Sequence, residues 1–143
     1  MKRKLNCVLL VDDNESDNFF HQRIIAKSGI TDHIEVVTNG REALDFLTSG
    51  EGAVHNGNVY SQPDLIFLDL NMPVMDGWEF LEEYQRLDDS QKGKVIFMML
   101  TTSINPADKL AAEKILGSDC FQNKPLTLEM LDEIIQNHFP EYV

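Results

Sequence analysis

Three aspartates, a lysine and two adjacent threonines stand where short apolar runs of this chain stop. The run at residues 7–11 ends in Asp12 and Asp13, and the run at 64–68 ends in Asp69. The run at 94–100 leads into Thr101 and Thr102, and the run at 119–122 leads through Asn123 to Lys124. Carboxylates gathered in one crevice repel, and their pKa values rise unless a cation lies among them. Oxygen donors without Cys or His suit Mg²⁺, which is held by one or two carboxylates and keeps several waters. A hydroxyl and an ammonium at the same rim add a hydrogen-bond donor and a positive charge, so the set reads as a site for a phosphoryl group beside a metal. Any one of these aspartates alone would more simply be a helix cap or the start of a turn. The ordered set is what points to chemistry.

The elements that must position them follow from the apolar pattern. Short apolar runs stand at 7–11, 33–37, 64–68, 94–100 and 119–122, and several are near-continuous in Val, Ile, Leu, Phe and Met, as strands covered on both faces are. Five amphipathic segments alternate with them. The first, 15–28, places Phe20 and Ile24 four apart and stops at Gly29. The second opens at Asn39 with Glu42 three residues on, as in a capping box, and sets Ala43 and Leu47 on one face. The third opens at Asp76, with Glu79 in the same relation, and aligns Phe80, Leu81, Tyr84 and Leu87. Asn105-Pro106 opens the fourth, which Gly117 closes. Thr127 caps the fifth, whose apolar face is Leu128, Leu131, Ile134 and Ile135.

The alternation predicts a (βα)₅ α/β fold, a doubly wound parallel sheet with strand order 2-1-3-4-5 and helices on both faces. In such sheets ligands bind outside the carboxyl ends of the strands, at the switch point between strands one and three. Asp12, Asp13 and Asp69 follow those two strands. Residues 49–62 hold three glycines, an Asn56-Gly57 turn signal and few apolar side chains, which predicts a long exposed loop.

With 143 residues the chain has room for one domain, and no second, output domain is expected. Twelve basic against 24 acidic residues give a net charge of −12, which disfavours direct contact with nucleic acid or anionic membrane. The basic start at Lys2-Arg3-Lys4 precedes too short an apolar stretch for a signal peptide, and no run reaches transmembrane length. Cys7 and Cys120 read as two buried thiols, and a cytoplasmic protein is expected. His21, His33, His55 and His138 lack ligand spacing and read as surface or helix residues. No glycine-rich phosphate loop follows strand one, so a nucleotide site of that type is not supported.

Asp12-Asp13, then Asp69 within Leu68-Asp69-Leu70-Asn71-Met72-Pro73-Val74-Met75-Asp76-Gly77, then Thr101 and Lys124-Pro125, resemble the receiver domain of two-component response regulators. The resemblance runs from about residue 5 to 139 and implies a flavodoxin-like, CheY-like fold. It also implies that Asp69 is the phosphoacceptor and that Asp13, Asp69 and the backbone carbonyl of Asn71 bind Mg²⁺ directly. Asp12 would act through a metal-bound water. Lys124 would contact the phosphoryl group and form a cis bond to Pro125. The Leu-Thr context selects Thr101 as the switch hydroxyl, whereas ungapped counting back from Lys124 selects Thr102. Phe121 matches the aromatic switch position, although a plain core Phe would look the same.

The implied partners are a sensor histidine kinase or histidine phosphotransfer protein and a downstream protein target. The latter would read the face of helix four, strand five and helix five, where a homodimer is also possible. No enzyme is expected beyond Mg²⁺-dependent self-phosphorylation and autodephosphorylation. An aspartyl phosphatase would need an acid two residues after Asp69, where Asn71 stands. The other alternative is a pseudo-receiver that binds partners without taking phosphate.

Overall fold

The structure, a computed structural model, describes residues 4–48, 53–55, 58–60, 63–70, 72, 74–87, 96–101, 105–116 and 120–139. Strands β1 (Val8–Val11), β2 (Ile34–Val37), β5 (Leu65–Leu68), β6 (Ile96–Thr101) and β7 (Phe121–Asn123) form one sheet in the order β2-β1-β5-β6-β7. All four pairings are parallel. With β3 (Ala53–His55) and β4 (Asn58–Tyr60) set aside, this is the expected order 2-1-3-4-5. The five predicted runs match these strands to within two residues at each end.

Burial on both faces explains the uninterrupted apolar runs of β1, β5 and β6. Alternate β1 residues feed opposite cores. Leu9 and Val11 pack with Ala43, Leu47, Phe80 and Ala112, while Val8 and Leu10 pack with Ile25, Leu131, Ile134 and Ile135. Helices α2 (Gly40–Leu47), α3 (Gly77–Gln85) and α4 (Pro106–Leu116) therefore cover one face, and α1 (Glu15–Ser28) and α5 (Leu128–His138) the other. Met98 and Met99 are buried on opposite sides of β6. Cys7 and Cys120 are buried free thiols, and burial, followed by the charges of Glu35 and Asp64, pushes the Cys7 thiol up to about 12.

The helix starts follow the capping chemistry. Asp76 and Glu79 complete a reciprocal capping box at α3. Asn14 and Thr127 accept from Asp17 N–H and Met130 N–H at the starts of α1 and α5. Asn105 Oδ1 accepts from Ala107 N–H at the start of α4. At α2 the expected box is half formed: Asn39 accepts from Glu42 N–H, but Glu42 reaches past the cap to the N–H and hydroxyl of Thr38. Gly29 ends α1 with φ 74°, a left-handed conformation open to glycine. Gly117 lies outside the described residues.

Three expectations need correction. The inner face of α1 is Asn18, His21 and Ile25, not Phe20 and Ile24; Phe20 is 44% exposed and Ile24 only partly buried. The first turns of α1 face polar loops instead of apolar core, so the apolar pair marks the wrong side. His21 is the helix residue that one of its two readings allowed, and it is buried at 2% exposure. Leu128 sits at the rim of α5 with 39% exposure, while Leu131, Ile134 and Ile135 are buried as expected. The stretch 49–62 is not all loop. Strands β3 and β4 pair antiparallel, with His55 opposite Asn58. Asn56 and Gly57 fall between the paired strands, as a two-residue hairpin turn requires, but themselves lie outside the described residues.

Candidate functional site

Parallel register brings the chemistry-bearing residues to one rim. Val11 pairs with Leu68, Leu68 with Met99, and Met99 with Phe121, so the residues that follow each strand emerge side by side. Asp69 N–H donates to Val11 C=O at 2.9 Å, and Lys124 N–H donates to Thr101 C=O at 2.7 Å. These bonds tie each chemical residue to the strand next door.

Asp12, Asp13 and Asp69 each place a carboxylate oxygen within 4.8 Å of the others'. Asp12 is buried, Asp69 half-buried and Asp13 exposed. Lys124 projects among them. Its ammonium donates to Asp12 Oδ2 at 2.6 Å and to Asp17 Oδ2 at 2.9 Å, with Asp69 Oδ2 at 3.9 Å. Burial works to lower the Lys124 pKa, but hydrogen bonds to Asp12 and Asp17, with the charges of Asp12 and Asp69, outweigh it and hold the group above its ordinary value. The Lys124-Pro125 bond is cis, as the resemblance implied.

The donor set fits a hard divalent cation. Every candidate ligand is a carboxylate oxygen, and among the described residues no other cluster of acidic, His or Cys side chains could hold a metal. Asn71, expected to add a backbone carbonyl, lies outside the described residues, as does Thr102. Thr101 ends β6 and is buried, and Phe121 is buried beneath α4 with Met99 and Ala112.

The loop after Asp69 is held by close backbone approach. Gly77 N–H donates to Leu70 C=O at 3.0 Å. A Cβ on Gly77 would stand 2.6 Å from the carbonyl oxygen of Asp69 and 2.9 Å from Leu70 Cα, so the glycine is there because no side chain fits. On the other side, Gly40 N–H donates to Met75 C=O at 2.8 Å. Between these anchors Val74 takes φ 67°, a left-handed conformation that β-branched residues rarely adopt.

Helix α1 supplies three site residues that sequence reasoning missed. Asn18 Nδ2 donates to Asp12 C=O at 2.8 Å, Asp17 accepts from Lys124, and His21 Nε2 accepts from Leu126 N–H at 3.3 Å. One polar stripe thus fastens both the loop bearing Asp12 and the loop bearing Lys124. Burial, then the nearby Lys124 charge, lowers the His21 pKa against the opposing pull of Asp17 and Asp12. The signal was present: 18, 21 and 25 share a helical face, and reading that face through Ile25 instead of Ile24 turns Asn18 and His21 inward.

Comparison with known proteins agrees with this geometry. The family model for the response regulator receiver domain matches residues 8–136. The chain is 33% identical over 129 residues to Response regulator Rcp1 of Synechocystis sp., covering 90% of this chain and 83% of that protein. It is 33% identical over 127 residues to Two-component response regulator 24 of Arabidopsis thaliana, covering 89% and 79%. Among solved structures it resembles a two-component response regulator from Cytophaga hutchinsonii, with TM-score 0.80, 31% identity and coverage of 94% of this chain and 97% of that one. A family match that starts with β1 and ends within α5 takes in the whole parallel sheet, and the chain belongs to the response regulator receiver domain family of two-component signalling.

Proposed function

We propose that this receiver domain is a working phosphoacceptor with Asp69 as the acceptor. The observation that carries the reading is the ammonium of Lys124 set among the carboxylates of Asp12, Asp17 and Asp69, 3.9 Å from the last and at the carboxyl rim of the sheet. Asp13, Asp69 and the backbone carbonyl of Asn71 would hold Mg²⁺ directly, with Asp12 acting through a bound water. The cation would supply neutralising charge to the oxygens of the transferring group.

The donor is a phosphohistidine on a sensor histidine kinase or a histidine phosphotransfer protein. A carboxylate oxygen of Asp69 forms its bond to phosphorus as the P–N bond to the donor imidazole breaks. The electron pair, and then a proton, go to that imidazole nitrogen. Lys124 pairs with the phosphoryl oxygens, and the hydroxyl of Thr101 donates to another of them. The added charge draws the end of β6 inward, Phe121 repacks, and the face of α4, β7 and α5 changes shape for a downstream protein partner. That face would also be the one through which two copies pair. Such relays run in the cytoplasm, where we place the protein. No described helix is long and apolar enough to cross a membrane.

Intact-mass measurement after incubation with acetyl phosphate and Mg²⁺ tests the reading. One phosphoryl adduct on the wild type, absent from Asp69→Ala and absent without Mg²⁺, is expected. A folded wild type that binds no Mg²⁺ and gains no adduct from acetyl phosphate or from a phosphorylated histidine phosphotransfer protein is a pseudo-receiver, and the proposal fails.

A further inference from the structure

Among the described side chains that pair with Lys124, Asp12 and Asp69 follow strand ends, whereas Asp17 comes from the first turn of helix α1. Its Oδ2 accepts a hydrogen bond from the ammonium at 2.9 Å, beside the 2.6 Å contact to Asp12. Asp69 stands a full ångström farther away, at 3.9 Å, beyond hydrogen-bond range. We propose that Asp17 is a positioning residue for phosphoryl transfer: it restrains the Lys124 ammonium away from Asp69 and gives it up when the phosphoryl group arrives. This rests on the phosphoacceptor reading given above.

The two contacts that hold Lys124 differ in kind. Asp12 is fixed on every side. Its side chain is 7% exposed, its Oδ1 accepts from Asn14 N–H at 3.0 Å, and its carbonyl accepts from Asn18. Asp17 projects from the first turn of α1 with its side chain 33% exposed, so water can replace the ammonium at its oxygens. Asp12 is the anchor and Asp17 the releasable half. With acetyl phosphate as donor, the Asp69 oxygen–phosphorus bond forms as the phosphorus–oxygen bond to acetate breaks, and acetate leaves with the electron pair. Asp69 thereby exchanges one negative charge for nearly two, and its new oxygens extend toward Lys124. The hydrated contact to Asp17 is the one that yields.

Restraint by a partly exposed ion pair changes an equilibrium by only a few-fold. Asp17→Asn should therefore speed phosphorylation by acetyl phosphate at saturating Mg²⁺ about two- to five-fold. Glu15→Gln removes the same charge from the same exposed turn of α1, and no contact joins it to Lys124; its rate should stay within about 1.5-fold of wild type. Loss of structure would slow the reaction, so a gain in rate is a readout that a merely structural role does not produce. A thermal melt of each variant checks that both are folded. If Asp17→Asn is unchanged or slower while folded, or if Glu15→Gln accelerates equally, the positioning role is overturned and the phosphoacceptor reading stands. If the wild type takes no phosphoryl group at all, the phosphoacceptor reading falls first and carries this one with it.

Discussion

Replacing Val74 should make the protein more stable, and the size of the effect can be worked from its surroundings. Val74 holds φ 67° and is 80% exposed. The left-handed region costs an L-residue roughly 1–2 kcal/mol, because Cβ crowds the following carbonyl, and a β-branched side chain belongs at the upper end. Burial returns little. A fully buried Val is worth about 2 kcal/mol, so a side chain four-fifths in water recovers only a few tenths. The conformation persists because the next residue, Met75, is pinned by its carbonyl to Gly40 and Asp76 is committed to capping α3. Val74→Asn keeps a similar size and tolerates the left-handed region, and should gain about 1 kcal/mol. Val74→Gly removes all the crowding but gives back about 0.5–1 kcal/mol in chain entropy, so it should fall between Asn and Val. Urea unfolding followed by the fluorescence of Trp78, the only tryptophan, reads these differences directly. For a chain of this length 1 kcal/mol should also raise Tm by about 2–4 °C. An Asn variant with the wild-type midpoint or a lower one, at unchanged urea dependence, would refute the argument that this loop is strained.

Three further outcomes follow from the same geometry. Gly77→Ala should lower stability by about 1–3 kcal/mol in urea, opposite to the usual gain from Gly→Ala in a helix, because its Cβ meets the backbone of Asp69 and Leu70. A stabilised Ala variant would count against that crowding. Because the His21 pKa lies below its ordinary value of 6.5, the folded protein binds fewer protons than the unfolded chain below that pH. The stability due to neutral His21 is thus complete above pH 6.5 and declines as the pH falls toward the folded-state value. His21→Gln should flatten the difference between urea midpoints measured near pH 7.5 and pH 5.5, and an undiminished difference would exclude His21 as its source. The Cys7 thiol, buried and pushed up to about 12, should not react with Ellman's reagent at pH 8 until urea is added; prompt labelling of Cys7 in the native protein would contradict its burial.

The sheet was legible in the sequence because both faces of β1, β5 and β6 are buried, which demands uninterrupted apolar runs, while the partly exposed edge strands β2 and β7 were placed by the alternation with helices. The site was legible because a parallel sheet delivers the residues after its strands to one rim. Asp12, Asp13, Asp69 and Lys124 needed no knowledge of tertiary contacts beyond strand order. Helix α1 resisted for the complementary reason. Its inward face changes from polar at Asn18 and His21 to apolar at Ile25, and hydrophobic periodicity registers only the apolar part. Asp17 carries no local mark that separates it from a solvated first-turn acid; its partner lies 107 residues away. The hairpin strands are three residues each, too short for a period to declare itself, although the Asn56-Gly57 turn signal stood out in the sequence. Glu42 went to Thr38 because an acidic side chain one turn inside a helix can reach more than one free N–H, and spacing alone does not choose.

Asp64 bears on how freely this fold can vary. Its carboxylate accepts from Asn6 N–H at 2.6 Å, its own N–H donates to Cys7 C=O, and its carbonyl accepts from Ile96 N–H. Three chain segments are thus stapled at the point where β5 begins, five residues or about 17 Å of extended chain from Asp69 at the strand's other end. The hairpin of β3 and β4 enters just upstream of that staple. Whatever length or sequence the chain adopts there is separated by the length of β5 from the rim that holds Asp69. The molecule therefore has one end that can be elaborated and one that cannot. Inserting a reporter peptide between β3 and β4 should be absorbed upstream of Asp64, while the opposite rim, crowded at Gly77 and Gly40, has no room for even a single added methyl group.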